Sequence, residues 1–209
     1  MDWYHQPVPR DGTETRTRIL DAAERLTLDR GLAATSIDEI LAEAQTSKGA
    51  FFHHFPAKTD LAGALIDRWN ALDETLMRDI MSRAERLSDD PLQQLLLLVG
   101  LIAEAEDGLA TAPACLFAAF SYQQGVVNSQ SREVIANGML RWRTAIAAKL
   151  AEAVALHPPR VAIDADILAD QFLAVLEGAF VLSRAHADPG IVSRQLRQYR
   201  SHLQLLFDA

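Results

Sequence analysis

From Ala44 to Thr59 the chain carries no acidic residue, and inside that window stand Lys48, His53, His54 and Lys58 beside Thr46, Ser47 and Gly49. Side chains of these types suit a phosphate: lysine neutralises it, hydroxyls and exposed helix N–H groups donate to it, and glycine lets the backbone come close. Just upstream, Ser36-Ile37-Asp38-Glu39 has the form of a capping box, in which the Ser36 hydroxyl accepts from an amide of the first turn and Glu39 reaches back to the Ser36 amide. Taken alone, Lys48 and Lys58 are ordinary exposed lysines and His53-His54 is a solvated pair. Their chemistry depends on the elements that hold them.

Those elements read as helices. From Thr13, Ile19, Ala23 and Leu26 share one face, and Gly31 stands where a helix end favours a left-handed residue. A second helix of roughly nine residues follows Ser36, with Ile37, Ile40, Leu41 and Ala44 at helical spacing. After a break at Gln45-Thr46, Ser47 caps a third, whose Phe51 and Phe55 lie four apart as core residues and which Pro56 ends. A long helix is predicted over 58–87, where Leu61, Leu65, Trp69, Leu72, Leu76 and Ile80 recur every three or four residues, then others near 91–106, 114–124, 130–156, 164–186 and 190–207. Residues 1–12, with Pro7, Pro9 and Gly12 and no apolar period, read as a mobile arm. No strand pattern or internal repeat is present, so the expected fold class is all-α with about nine helices.

Two short helices joined by a tight turn suit DNA, because the second can lie in the major groove while the first packs across it. The run from Thr35 to Leu61, TSIDEILAEAQTSKGAFFHHFPAKTDL, resembles the signature of the TetR family of tetracycline-repressor-like transcriptional regulators, and the detailed resemblance spans residues 13–62. It implies a helix-turn-helix DNA-binding domain over 13–58 and a ligand-binding and dimerisation domain over 59–209. Carried over by position, it makes Thr35 a phosphate contact, Ser36 the cap of the second helix, and Ser47, Lys48 and Gly49 the opening of the recognition helix. Lys48 becomes the preferred base reader, since an ammonium can donate to guanine O6 and N7. His53 is the next candidate, and Lys58 matches a phosphate-binding lysine. Phe52 stands where the family usually has a phosphate-touching tyrosine, and it lacks the hydroxyl. At the turn, Ala44-Gln45-Thr46 replaces the usual Ala-Gly-Val, so Gln45 has to adopt a left-handed backbone at a cost of about 1 kcal/mol, and Thr46 can face the groove.

The remainder is read more coarsely. In the segment FLAVLEGAFVL, Phe172 to Leu182, only Glu177 is charged, and a helix apolar on nearly all sides must be covered on more than one. A second copy of the chain is the expected cover, with Phe172, Ala174, Val175, Gly178, Ala179 and Leu182 in a four-helix homodimer interface; burial within one subunit is the other reading. Bulky side chains on the middle helices mark an effector pocket by family analogy: Trp69, Phe117, Phe120, Met139, Trp142 and Phe172, with Cys115. The same residues are also ordinary core. With no cluster of like charge or of metal ligands apparent, the effector is expected to be small and apolar or aromatic. Cys115, near the start of a helix, is either a buried inert thiol or an electrophile sensor with a lowered pKa.

The totals bound the rest. Across 209 residues with 49% hydrophobic content a packed core is available, and the net charge of −8 argues against a protein that coats nucleic acid nonspecifically. A single cysteine excludes an internal disulfide, and no apolar run is long enough to cross a bilayer, so a cytoplasmic protein is expected. No cofactor or metal site is expected. An enzyme is disfavoured, because no nucleophile with a paired base, phosphate loop or two-histidine metal motif is present. The leading reading is a repressor that binds a palindromic operator as a homodimer and is released by a small molecule. The alternative is an interaction protein of the same fold that has lost specific DNA binding, motivated by Phe52, Gln45 and an N-terminal sixty residues holding seven Lys or Arg against ten Asp or Glu.

Overall fold

The first helix, α1 (Gly12–Arg30), stops at Gly31, whose φ of +84° turns the chain while its amide still donates to the Thr27 carbonyl at 2.9 Å. Then come α2 (Ile37–Glu43), α3 (Lys48–His54), α4 (Lys58–Leu87), α5 (Pro91–Asp107), α6 (Leu116–Ser121), α7 (Ser129–Leu156), α8 (Ala165–His186) and α9 (Gly190–Phe207). The computed structural model describes residues 12–107, 115–123 and 125–208, and among them no strand occurs. The expected arm lies outside the described residues, except for Gly12, which opens α1.

Side chains fix where these helices begin. Ser36 Oγ accepts from the Glu39 amide at 3.2 Å while Glu39 Oε2 accepts from the Ser36 amide at 2.7 Å, closing the capping box. Ser47 Oγ accepts from the Ala50 amide at 3.2 Å, Asn128 Oδ1 from Ser131 at 2.8 Å, and Asp164 Oδ1 from both Asp166 and Ile167. Each such cap contributes about 1 kcal/mol. Gln45 adopts φ +48°, the left-handed turn that its place between α2 and α3 demanded.

Two apolar clusters fill the interior. In the first, Ile19, Phe51 and Phe55 of the N-terminal helices pack with Leu61 and Leu65 of α4, and also with Leu116, Phe117 and Phe120 of α6 and Ile135 of α7. The core beneath the helix-turn-helix therefore runs on past residue 58. The second is built around α5, whose Leu92, Leu95, Leu96, Val99 and Ile102 are buried on successive sides, so it packs on α4, α7 and α9.

Helix α8 lies between α7 and α9 and divides its apolar residues between two directions. Phe172 and Ala179 are fully buried within the subunit, Phe172 edge-on to Tyr199 with ring centroids 5.7 Å apart, which corrects their assignment to an intersubunit face. Val175 is half-buried against the same core. Ala174, Gly178, Val181 and Leu182 are exposed, as are Ile167 of α8 and Leu205 of α9.

Candidate nucleic-acid interface and internal cavity

The start of α1, the end of α2 and α3 enclose an open groove of about 710 Å³. Arg18, Gln45, Thr46, Ser47, His53 and His54 line it with Gly12, Thr15, Leu41, Ala42 and Ala50, and among the described residues no acidic side chain does. Phe51 and Phe55 point into the core, 5.9 Å apart between centroids, which turns the opposite face of α3 to solvent. Lys48, Gly49, Phe52 and His53 are all exposed there. A Cβ placed on Gly49 would meet only Ser47 Oγ, at 4.0 Å, so its outer side is open to close approach.

Four acids of this region, none of which lines the groove, are held in ion pairs. Arg25 binds Glu43 at 2.9 Å, Arg30 binds Glu39 at 2.8 Å, and Arg68 of α4 takes both Asp21, at 2.6 Å, and Glu24. Such partly exposed pairs add little stability, but each cancels a negative charge locally. Arg18 was not singled out in the sequence. Its Nη2 donates to Thr15 Oγ1 at 3.4 Å, its buried Nε has no acceptor among the described residues, and it adds a cation to the groove. The available signal was its place on α1 next to the buried Ile19.

Two residues expected at phosphate are held by backbone carbonyls. Thr35 is 1% exposed; its hydroxyl donates to the Gly31 carbonyl at 2.9 Å and its amide to Leu32. Lys58 donates from its ammonium to the carbonyls of Ala33 and Thr35, and partial burial pushes its pKa below the usual lysine range against the opposing pull of Glu39. Together they pin the α1–α2 connection to the start of α4.

A second site is internal. Helices α4, α5, α7 and α8 and the start of α6 surround a cavity of about 300 Å³. Of the residues expected there, Trp69, Cys115, Phe117, Met139 and Trp142 line it. Phe120 and Phe172 do not: the first is buried in the N-terminal cluster and the second beneath α7 and α9. Gly138 allows the wall to form, since a Cβ there would fall 2.4 Å from Phe117 Cε2.

The lining also corrects the expectation that no like charges gather. Asp73 of α4, Glu106 of α5 and Glu177 of α8 all face the cavity, and burial pushes each carboxyl above its usual range. Asp73 Oδ1 accepts from Trp142 Nε1 at 2.9 Å, with Arg141 Nη2 3.6 Å from Oδ2. Glu106 Oε2 is buried with no hydrogen-bond partner among the described residues. Cys115 caps α6, but burial and then the nearby Glu177 charge raise its thiol pKa, the opposite of what a helix start alone would do. No described group of three metal ligands occurs, and no described helix is long and apolar enough to cross a membrane.

Hydrogen bonds tie two of the helices that wall the cavity to the C-terminal end of α1 and the loop after it. Arg184 of α8 donates to the carbonyls of Leu28 and Asp29, the open end of α1. Gln123, after α6, accepts from the Ala33 amide at 2.8 Å and donates to the Ala119 carbonyl at 2.8 Å. Both α6 and α8 contribute to the cavity wall.

Comparison with known proteins agrees with this geometry. Residues 19–65 match the family described as bacterial regulatory proteins of the tetR family, and residues 91–199 match the tetracyclin repressor-like C-terminal domain. The chain is 27% identical over 201 residues to the transcriptional regulator AcuR of Cereibacter sphaeroides, covering 95% of this chain and 84% of that protein. It is 25% identical over 169 residues to the HTH-type transcriptional repressor DhaR of Mycobacterium sp., covering 81% and 82%. A TetR-family regulator from Agrobacterium tumefaciens shares the fold with a TM-score of 0.77 at 22% identity, covering 92% of this chain and 98% of that one. With both family domains matched in order over most of its length, the chain belongs to the TetR family of transcriptional regulators, which are DNA-binding proteins and not enzymes.

Proposed function

We propose that the protein is a repressor that binds a palindromic operator as a homodimer and lets go when a small molecule fills the cavity. The observation that carries this reading is a groove beside an outward-facing α3 whose described lining residues include Arg18 and no acid. Lys48 is the base reader, with Ser47, Gly49, Thr46, Phe52, His53 and the α2 cap Ser36 against the DNA backbone. The exposed stripe of Ala174, Gly178 and Leu182, extended by Val181, Ile167 and Leu205 and edged by Val175, supports a partner copy packed along α8 and α9.

Release follows from the shared helices. Phe180 and Glu177 border the cavity, and Arg184 lies one turn beyond Phe180 on α8, so a ligand that moves α8 or α6 moves the end of α1. Because α1 packs on α2 and α3, that shift changes the distance between the two recognition helices. The ligand acts only by preferring the altered shape.

The test is retardation of a palindromic duplex from beside the protein's own gene, at physiological salt. A specific affinity at least about a thousandfold above that for a scrambled duplex is expected, and Lys48→Ala should abolish most of it. Equal affinity for both duplexes refutes the reading. A second reading, an interaction protein without specific DNA binding, is favoured by the carbonyl-bound Thr35 and Lys58 and by the missing Phe52 hydroxyl. It predicts that equal-affinity result.

A further inference from the structure

Three carboxylates reach one small cavity from three different helices. The cavity wall is otherwise mostly aromatic and aliphatic, with Trp69, Phe117 and Trp142 prominent. The charge nearby is unbalanced: Arg141 is 3.6 Å from Asp73, and among the described residues no cation pairs with Glu106 or Glu177. A buried carboxylate oxygen without a partner is unfavourable, and apolar residues in its place would stabilise the empty protein. Groups that weaken the empty state and line a cavity suit an occupant that satisfies them.

The geometry points to an organic cation with an aromatic or aliphatic body as the occupant of this cavity, its positive end held by Asp73, Glu106 and Glu177 and its body against Trp69, Phe117 and Trp142. This rests on the reading of the cavity as the effector site. An anionic ligand would set like charge against carboxylates in a desolvated cluster. A bare metal ion does not fit, because the carboxylates line the cavity without converging into a group of three ligands. A diffuse cation needs no tight convergence, and aromatic faces add cation–π attraction to it. The volume of about 300 Å³ lies at the small end for ligand cavities, which limits the body to one or two rings. The upward pKa displacement of all three carboxyls, caused first by burial, is the cost that a bound positive charge would reverse.

Titration calorimetry of the full chain with three probes tests this: benzyltrimethylammonium, its neutral carbon isostere neopentylbenzene, and phenylacetate. The cation should bind at least about tenfold more tightly than the isostere, and phenylacetate should not bind. Glu106→Gln and Glu177→Gln should each lower the cation's affinity about tenfold and leave that of the isostere unchanged; thermal melts confirm that both variants fold. The proposal is overturned if the isostere binds as tightly as the cation, if both variants keep full cation affinity, or if the cation does not bind. Retardation of the operator duplex in the same samples separates the two readings. A bound cation with the duplex still held would defeat ligand-driven release and leave the ligand class standing.

Discussion

Arg184 Nη2 donates to the Asp29 carbonyl at 2.6 Å, placing a guanidinium of α8 on the last turn of α1, 155 residues earlier in the chain. A helix C-terminus carries unsatisfied carbonyls and a partial negative charge, so a cation there is favourable. The cap belongs to the helix that also borders the cavity. Arg184→Ala should cost about 1 kcal/mol and speed amide exchange over residues 28–35 while leaving α5 unchanged. Hydrogen-exchange mass spectrometry reads this directly, and uniform protection in both regions would mean that the contact does not restrain α1.

Three substitutions sort the DNA-facing residues from the structural ones. Lys48→Ala should weaken operator binding by about 1–3 kcal/mol with unchanged helicity. Phe52→Tyr should strengthen it by about 0.5–1.5 kcal/mol, because the ring is 41% exposed and a hydroxyl there restores a phosphate donor. Lys58→Ala should lower thermal stability before it affects DNA, since it releases the carbonyls of Ala33 and Thr35. Binding isotherms and melting curves on the same samples separate these outcomes.

Gly138→Ala should destabilise by about 1–3 kcal/mol, because the new methyl group would collide with the packed Phe117 ring. Adding Phe117→Leu should recover part of the loss. A double-mutant cycle measures the coupling; strict additivity would show that the two residues do not share the space.

The pH dependence of stability carries a defined sign. Burial raises the native pKa of Glu106, so the unfolded chain gives up that proton at lower pH than the folded one. Its penalty is absent in acid, grows as pH rises through the ordinary glutamate range, and levels off above the raised native value. Asp73, Glu177 and Cys115 share the cavity with the same sign, and Arg141 opposes it. Glu106→Gln should therefore match the parent's Tm at about pH 4 and exceed it at neutral pH and above. A variant equal to the parent across the range would show that the carboxyl is not strained in the empty protein.

Gly178→Leu should separate subunit stability from association. A Cβ at Gly178 meets nothing of its own subunit within 4 Å, so a larger side chain costs the monomer no clash and helix propensity improves. On the proposed intersubunit face it should push the partner away. Sedimentation velocity is expected to give a dimer for the parent and a folded monomer for the variant, and a variant dimer of unchanged affinity would place the interface elsewhere.

Much of this architecture was legible from local signals. Ser36, Ser47 and Asp164 act within one turn of themselves, and the spacing of Leu61, Leu65 and Ile80 repeats along one helix, so helix limits followed from short stretches of sequence. The backbone partners of Thr35 and Lys58 were not foreseen, because they are fixed by how the α1–α2 connection meets α4, a tertiary relation that spacing does not carry. The carboxylates of the cavity were missed for a related reason. Asp73, Glu106 and Glu177 each look like ordinary helix charge in their own segment, and only the packing of α4, α5 and α8 brings them to one space. Phe172 and Ala179 are buried within the subunit while Leu182 of the same apolar helix is exposed, and composition does not say which residue falls on which side.

The apolar cluster under the helix-turn-helix has a practical bearing on building hybrid regulators. Leu116, Phe117 and Phe120 of α6 complete the packing around Ile19, Phe51 and Phe55, so the helix-turn-helix shares its foundation with the C-terminal helices. Transplanting residues 12–57 onto another scaffold would strip away that foundation. A hybrid that also carries α6, the first half of α4 and the start of α7 keeps the helix-turn-helix seated, and the junctions for such a graft lie within α4 and α7, beyond the α3–α4 turn.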